Sequence, residues 1–138
     1  MTVAERLDDA EALWAAGRRE GALLNALVAL AAQSRIEMPR SQERSDRVAF
    51  ESLLAQAHTW HMEVEHRGKL VAFDRLIYTW VRCELVHEGA LPTDVRIDDG
   101  VGGPDELVVG AGGGSEYVVR LSPGWVPWLI EFVRSRGV

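Results

Sequence analysis

The run Tyr78-Thr79-Trp80-Val81-Arg82-Cys83-Glu84-Leu85-Val86-His87-Glu88-Gly89 carries the chain's clearest pattern. Phe73, Leu76, Ile77, Trp80, Val81 and Leu85 recur every three or four residues, with Cys83 or Glu84 filling the same face. That spacing predicts an amphipathic helix from about Val71 to His87. Gly89 and Pro92 are its stop signals. Arg82 precedes His87 by five positions near the end of this helix. Five residues on an ideal helix turn through about 500°, so the two side chains stand about 140° apart. They share a face only if the helix is already ending at His87, or if a second copy of the helix is brought up across a two-fold axis.

Upstream, residues 3–34 read as two helices joined at Gly17. Leu7, Ala10, Leu13 and Trp14 line the first, and Leu23, Leu24, Leu27, Val28, Leu30 and Ala31 the second. No internal repeat accompanies them. Residues 38–45 are polar and aperiodic and read as a loop. Asp46 is the expected N-cap of a helix bearing Val48, Phe50, Leu53, Leu54 and Ala57. Residues 60–66 alternate apolar and polar, a short strand signal ended by Gly68.

Downstream the composition changes, for ten of the thirteen glycines lie from Gly89 onward. Strand candidates at 94–98, 106–110 and 116–121 are separated by glycine runs and predict an antiparallel meander. The run Gly110-Ala111-Gly112-Gly113-Gly114 lacks the Lys and Ser/Thr of a phosphate loop and reads as a hairpin turn. Ser122 followed by Pro123 announces a last helix carrying Trp125, Trp128, Leu129, Phe132 and Val133, with Gly137 after it. The Trp125 and Trp128 indoles are expected in the core or at an oligomer contact. The expectation is one mainly α, α+β domain over 1–138. It comprises a four- to five-helix core over 3–89, then a small antiparallel meander and a C-terminal helix over 90–138.

Length and composition bound the function. The chain has 138 residues, 47% hydrophobic and 26% charged, which is ordinary for one globular domain. No apolar run approaches the ~20 residues that span a bilayer. The N-terminus lacks the basic-then-apolar pattern of a signal peptide, and a single cysteine, Cys83, fits a cytoplasmic protein. A formal charge of −6 does not steer the whole molecule toward nucleic acid, although a local basic site remains compatible with it. Arg40, Arg44 and Arg47 form a basic strip that Glu43 and Asp46 interrupt. His58, His61 and His66 lie close together, but no second ligand pair accompanies them. No metal and no cofactor are expected.

Arg82 and His87 bear the chemistry. Arginine is a permanent cation whose donor fork suits phosphate. Histidine titrates near neutrality and exchanges protons with a hydroxyl or water. Together they suffice for metal-free phosphodiester cleavage, with His87 serving the ribose 2′-hydroxyl and Arg82 the charge on phosphate oxygens. Such a reaction leaves a cyclic phosphate and spares DNA. Tyr78, one turn before Arg82, or Glu84 is a candidate to orient one of the pair. Two structural readings stand beside this one. Arg82 pairs with Glu84 or Glu88, or His87 merely closes the helix terminus.

The same residues resemble the HEPN superfamily, whose members carry R-x(4–6)-H near the end of a core helix in a four- or five-helix bundle. Arg82 matches the arginine and His87 the histidine, over a local likeness of roughly residues 70–92. Cys83 stands where the family often has Asn, Asp or His. Gly89 stands where the toxin branch paired with nucleotidyltransferase antitoxins has tyrosine. The resemblance implies a metal-independent endoribonuclease of defence or toxin type, working on RNA as a homodimer. It also leaves open a non-catalytic helical module that binds a protein partner, an antitoxin or a nucleotide. A purely structural homodimer is the third reading. None involves a membrane.

Overall fold

Thr2 opens the first helix by a reciprocal cap: its hydroxyl accepts from the Glu5 amide (3.1 Å) and its own amide donates to the Glu5 carboxylate (2.7 Å). The computed structural model describes residues 2–39, 45–111 and 118–138. Among these, helices and two small sheets make an α+β protein. Its contacts divide it into two compact units, residues 1–60 with 128–138, and residues 61–127.

The first unit is helical. α1 (Val3–Ala15) ends at Gly17, whose φ of 77° reverses the chain into α2 (Arg19–Glu37). Leu7 and Ala10 of α1 are fully buried, as are Ala22, Ala26, Leu27, Ala29 and Leu30 of α2. The small alanines permit close approach of the two helices. α3 (Asp46–Ala55) buries Ala49, Phe50, Leu53 and Leu54 and packs on α2. Its N-cap is Ser45, whose hydroxyl accepts from the Val48 amide, and not Asp46 as expected. Asp46 instead takes the first helical position and pairs with Arg35 at 2.6 Å.

The second unit begins with a hairpin that the sequence half revealed. β1 (Glu63–His66) pairs antiparallel with β2 (Lys69–Ala72), with His66 opposite Lys69. The two-residue loop Arg67-Gly68 has φ of 53° and 79°, as a type I′ turn requires. β2 absorbs the residues expected to start the long helix. That helix therefore begins at Phe73, whose amide donates to Met62 O (2.9 Å). It runs through α4 (Phe73–Leu76), a π-helical stretch (Ile77–Cys83) and α5 (Glu84–Glu88), to Gly89 at φ 74°. Ile77, Tyr78, Thr79 and Val81 in this stretch are β-branched or aromatic. Such side chains crowd the preceding α turn, and a wider turn relieves them.

Beyond it, β3 (Val95–Ile97), β4 (Val109–Gly110) and β5 (Val119–Leu121) form one sheet in the order β3-β5-β4. β3 pairs parallel with β5, and β4 antiparallel with it. The expected antiparallel meander is thus corrected to a mixed sheet. β5, with Val119 and Leu121 buried, takes the centre, and the two-residue β4 is left at an edge. The expected turn over 110–114 and the start of the 116–121 strand fall largely outside the described residues.

Ser122 also departs from expectation. Its hydroxyl accepts from the Val108 amide (2.9 Å) and donates to Glu106 O (2.5 Å), so it ties down that loop and caps no helix. Gly124 lies against the same loop, where a Cβ would run into the Glu106 backbone. α6 (Trp125–Arg134) follows. Trp125 donates its indole N–H to Val108 O (2.9 Å) and stacks at a tilt on Phe73. From Trp128 on, the chain belongs to the first unit. There Arg134 pairs with Asp8 (2.8 Å) and Glu11 (2.9 Å), and Arg136 pairs with Glu37.

Candidate functional site

The helix of the second unit positions both residues of the motif. Arg82 is the penultimate residue of the π-helical stretch, and His87 is in the last turn of α5. Helical backbone continues through Glu88, so the helix does not end at His87 as face-sharing within one chain requires. On ideal geometry the two side chains remain about 140° apart.

Their surroundings differ. Arg82 is half-buried, with its guanidinium 5.8 Å from the centre of the Tyr78 ring. Its Nε is sequestered from solvent and has no hydrogen-bond partner among the described residues. A buried donor left in that state costs about 1–3 kcal/mol and calls for an explanation. His87 is exposed, with no hydrogen bond or ion pair among the described residues. Glu84 and Glu88 form no ion pair with Arg82 among them either. Tyr78 therefore meets Arg82 as expected from i,i+4 spacing, whereas Glu84 sits half-buried without joining the pair. Cys83 is a free thiol, half-buried.

A second cluster in the same unit was not anticipated. Arg67 donates to Asp94 from Nε (2.8 Å) and from Nη2 (3.1 Å). The buried His66 places Nε2 3.0 Å from the same carboxylate, a close approach that does not meet hydrogen-bond geometry. Burial holds the His66 imidazole below its ordinary range, against the opposing pull of Asp94. The Arg67 guanidinium holds the Asp94 carboxyl below its own. With its side chain 1% exposed, His66 has no access to a substrate, and the cluster is a clamp from the hairpin turn to the start of β3. The only signal in sequence was the Arg67-Gly68 dipeptide at the end of an alternating run.

The remaining candidates separate. His58 stacks on Trp60 at 3.7 Å, and His61 is exposed beside Glu63. Among the described residues no three His, Cys, Asp or Glu side chains are grouped as metal ligands. Arg47 pairs with Glu51 at 3.1 Å, and Arg40 and Arg44 lie outside the described residues. No helix among them is long and apolar enough to cross a membrane. No known family, curated protein or solved structure matches the chain.

Proposed function

We propose that the chain is an HEPN-like, metal-independent endoribonuclease of defence or toxin type, cutting RNA in the cytoplasm at a cleft between two copies. His87 exchanges protons with the ribose 2′-hydroxyl and the leaving oxygen. Arg82 supplies positive charge to the phosphate as it approaches the transition state. The carrying observation is that His87 is exposed and has no hydrogen bond or ion pair among the described residues, while the Arg82 guanidinium, held 5.8 Å from the centre of the Tyr78 ring, forms no ion pair among them. The π-helical stretch that ends just past Arg82 supports the same reading, because such irregularities concentrate at functional sites. The angle of about 140° that ideal helix geometry puts between the two side chains favours a pair assembled from two chains, with Val86, exposed at 43%, on the surface nearby.

A second reading follows from Arg82 being half-buried against Tyr78: a non-catalytic HEPN-like module that binds a protein partner, an antitoxin or a nucleotide. One experiment separates them. Purified protein is incubated with RNA in EDTA beside His87→Ala, Arg82→Ala and Arg82→Lys, all checked for folding by circular dichroism. The nuclease reading expects cyclic-phosphate ends from the wild type, none from a 2′-deoxy substrate, and loss in both alanine variants. Equal cutting by the wild type and the two alanine variants refutes it.

A further inference from the structure

In the first unit, Ala57, just past α3, and Trp128, Glu131 and Phe132 of α6 line an open cavity of about 250 Å³. Trp128 and Phe132 are one helical turn apart, with ring centroids at 6.4 Å and planes 18° from parallel. Glu131 stands exposed at the rim, and its carboxylate has no hydrogen bond or ion pair among the described residues. We propose that this cavity receives the guanidinium of an arginine presented by a partner polypeptide.

Three observations converge on that occupant. Two near-parallel aromatic rings beside a carboxylate match a planar cation, which stacks on the rings and donates paired hydrogen bonds to the acid. The Phe132 ring already takes one guanidinium from within the chain: Arg136 sits 5.9 Å over it and pairs with Glu37. Arg19, 5.7 Å from the Trp14 ring, repeats the stacking half of this arrangement. The carboxylate of Glu131 in the lining favours a cationic occupant of this cavity over an anionic one. The cavity is open, and four of the described residues line it, so it suits the tip of a side chain held by a larger partner more than an enclosed free metabolite.

The test is a titration of the full chain with N-acetyl-arginine methylamide, followed by the Trp128 indole N–H in NMR spectra and assigned with Trp128→Phe. A saturable shift is expected, weakened about fivefold or more in Glu131→Gln, an exposed substitution that leaves the fold intact. The neutral citrulline counterpart should give no shift, and the lysine counterpart, unable to stack as a plane, a weaker one. Absence of a saturable shift, equal binding of citrulline or lysine, or no effect of Glu131→Gln overturns the proposal. Tighter binding of free L-arginine than of the blocked amide overturns the polypeptide source.

Discussion

Replacing Asp94 by Asn tests the clamp between the hairpin and β3 with almost no change of shape. The carboxylate receives two hydrogen bonds from Arg67 and lies 3.0 Å from the buried His66 Nε2. The Arg67 side chain is 48% exposed, so solvent screening limits its share to at most about 0.5 kcal/mol. The 3.0 Å approach of the buried His66 Nε2 does not meet hydrogen-bond geometry and adds a charge–dipole contact of about 0.5–1 kcal/mol. Urea unfolding at neutral pH should therefore show Asp94→Asn less stable by about 1 kcal/mol. The pH profile adds a second signature. Folded His66 binds its proton less readily than its ordinary value of 6.5, so the unfolded chain protonates first. Stability then falls as pH drops below about 6.5, by up to about 1.4 kcal/mol per unit, until the folded imidazole also protonates. Asp94 is what raises His66. Without it the decline should continue to lower pH in the variant. Asp94 itself, held below 3.8, contributes stability that is present above that value and lost as pH falls through its lower folded value. Below about pH 4 the variant's curve should accordingly be the flatter one. A loss under about 0.5 kcal/mol at neutral pH, or superimposable profiles between about pH 4.5 and 6.5, would refute the clamp.

Two glycine substitutions should diverge for different reasons. Gly124→Ala drives a methyl into the Glu106 backbone and should cost about 3 kcal/mol, whereas Gly89→Ala meets nothing within 4 Å and should cost only the left-handed strain, about 1 kcal/mol. Thermal unfolding reads both, and equal losses would contradict the close approach at Gly124. Ser45→Ala removes the hydroxyl that accepts from Val48 and should lower stability by about 1 kcal/mol in urea, while Asp46→Ala should cost less.

The sequence disclosed the first unit well because its determinants are local. Leucines and alanines at helical spacing and Gly17 all act within a few residues of themselves. The second unit was less legible. β2 has mostly exposed side chains and no alternation, so Lys69-Leu70-Val71-Ala72 merged with the helix that follows. β5 lies more than twenty residues after β3, and nothing in either segment states that they pair in parallel. The hydroxyl of Ser122 had two possible employers, a helix behind Pro123 or the loop at 106–108, and only tertiary contact decided between them. At the candidate site the helix, Arg82 and His87 could be read directly, and so could the meeting of Tyr78 with Arg82. The π-helical stretch could not, because no residue type or spacing in the run marks where the turn widens. The sequestering of the Arg82 Nε depends on packing that no spacing records.

Because residues 61–127 are interposed between α3 and the segment that completes the first unit, that unit is discontinuous in the chain. During translation at about 5–20 residues per second, α1 to α3 emerge several seconds or more before Trp128–Val138. In that interval Asp8, Glu11 and Glu37 lack the arginines that later bind them. The nascent α1 to α3 thus wait on α6 to complete their unit, although residues 61–127 are made in between.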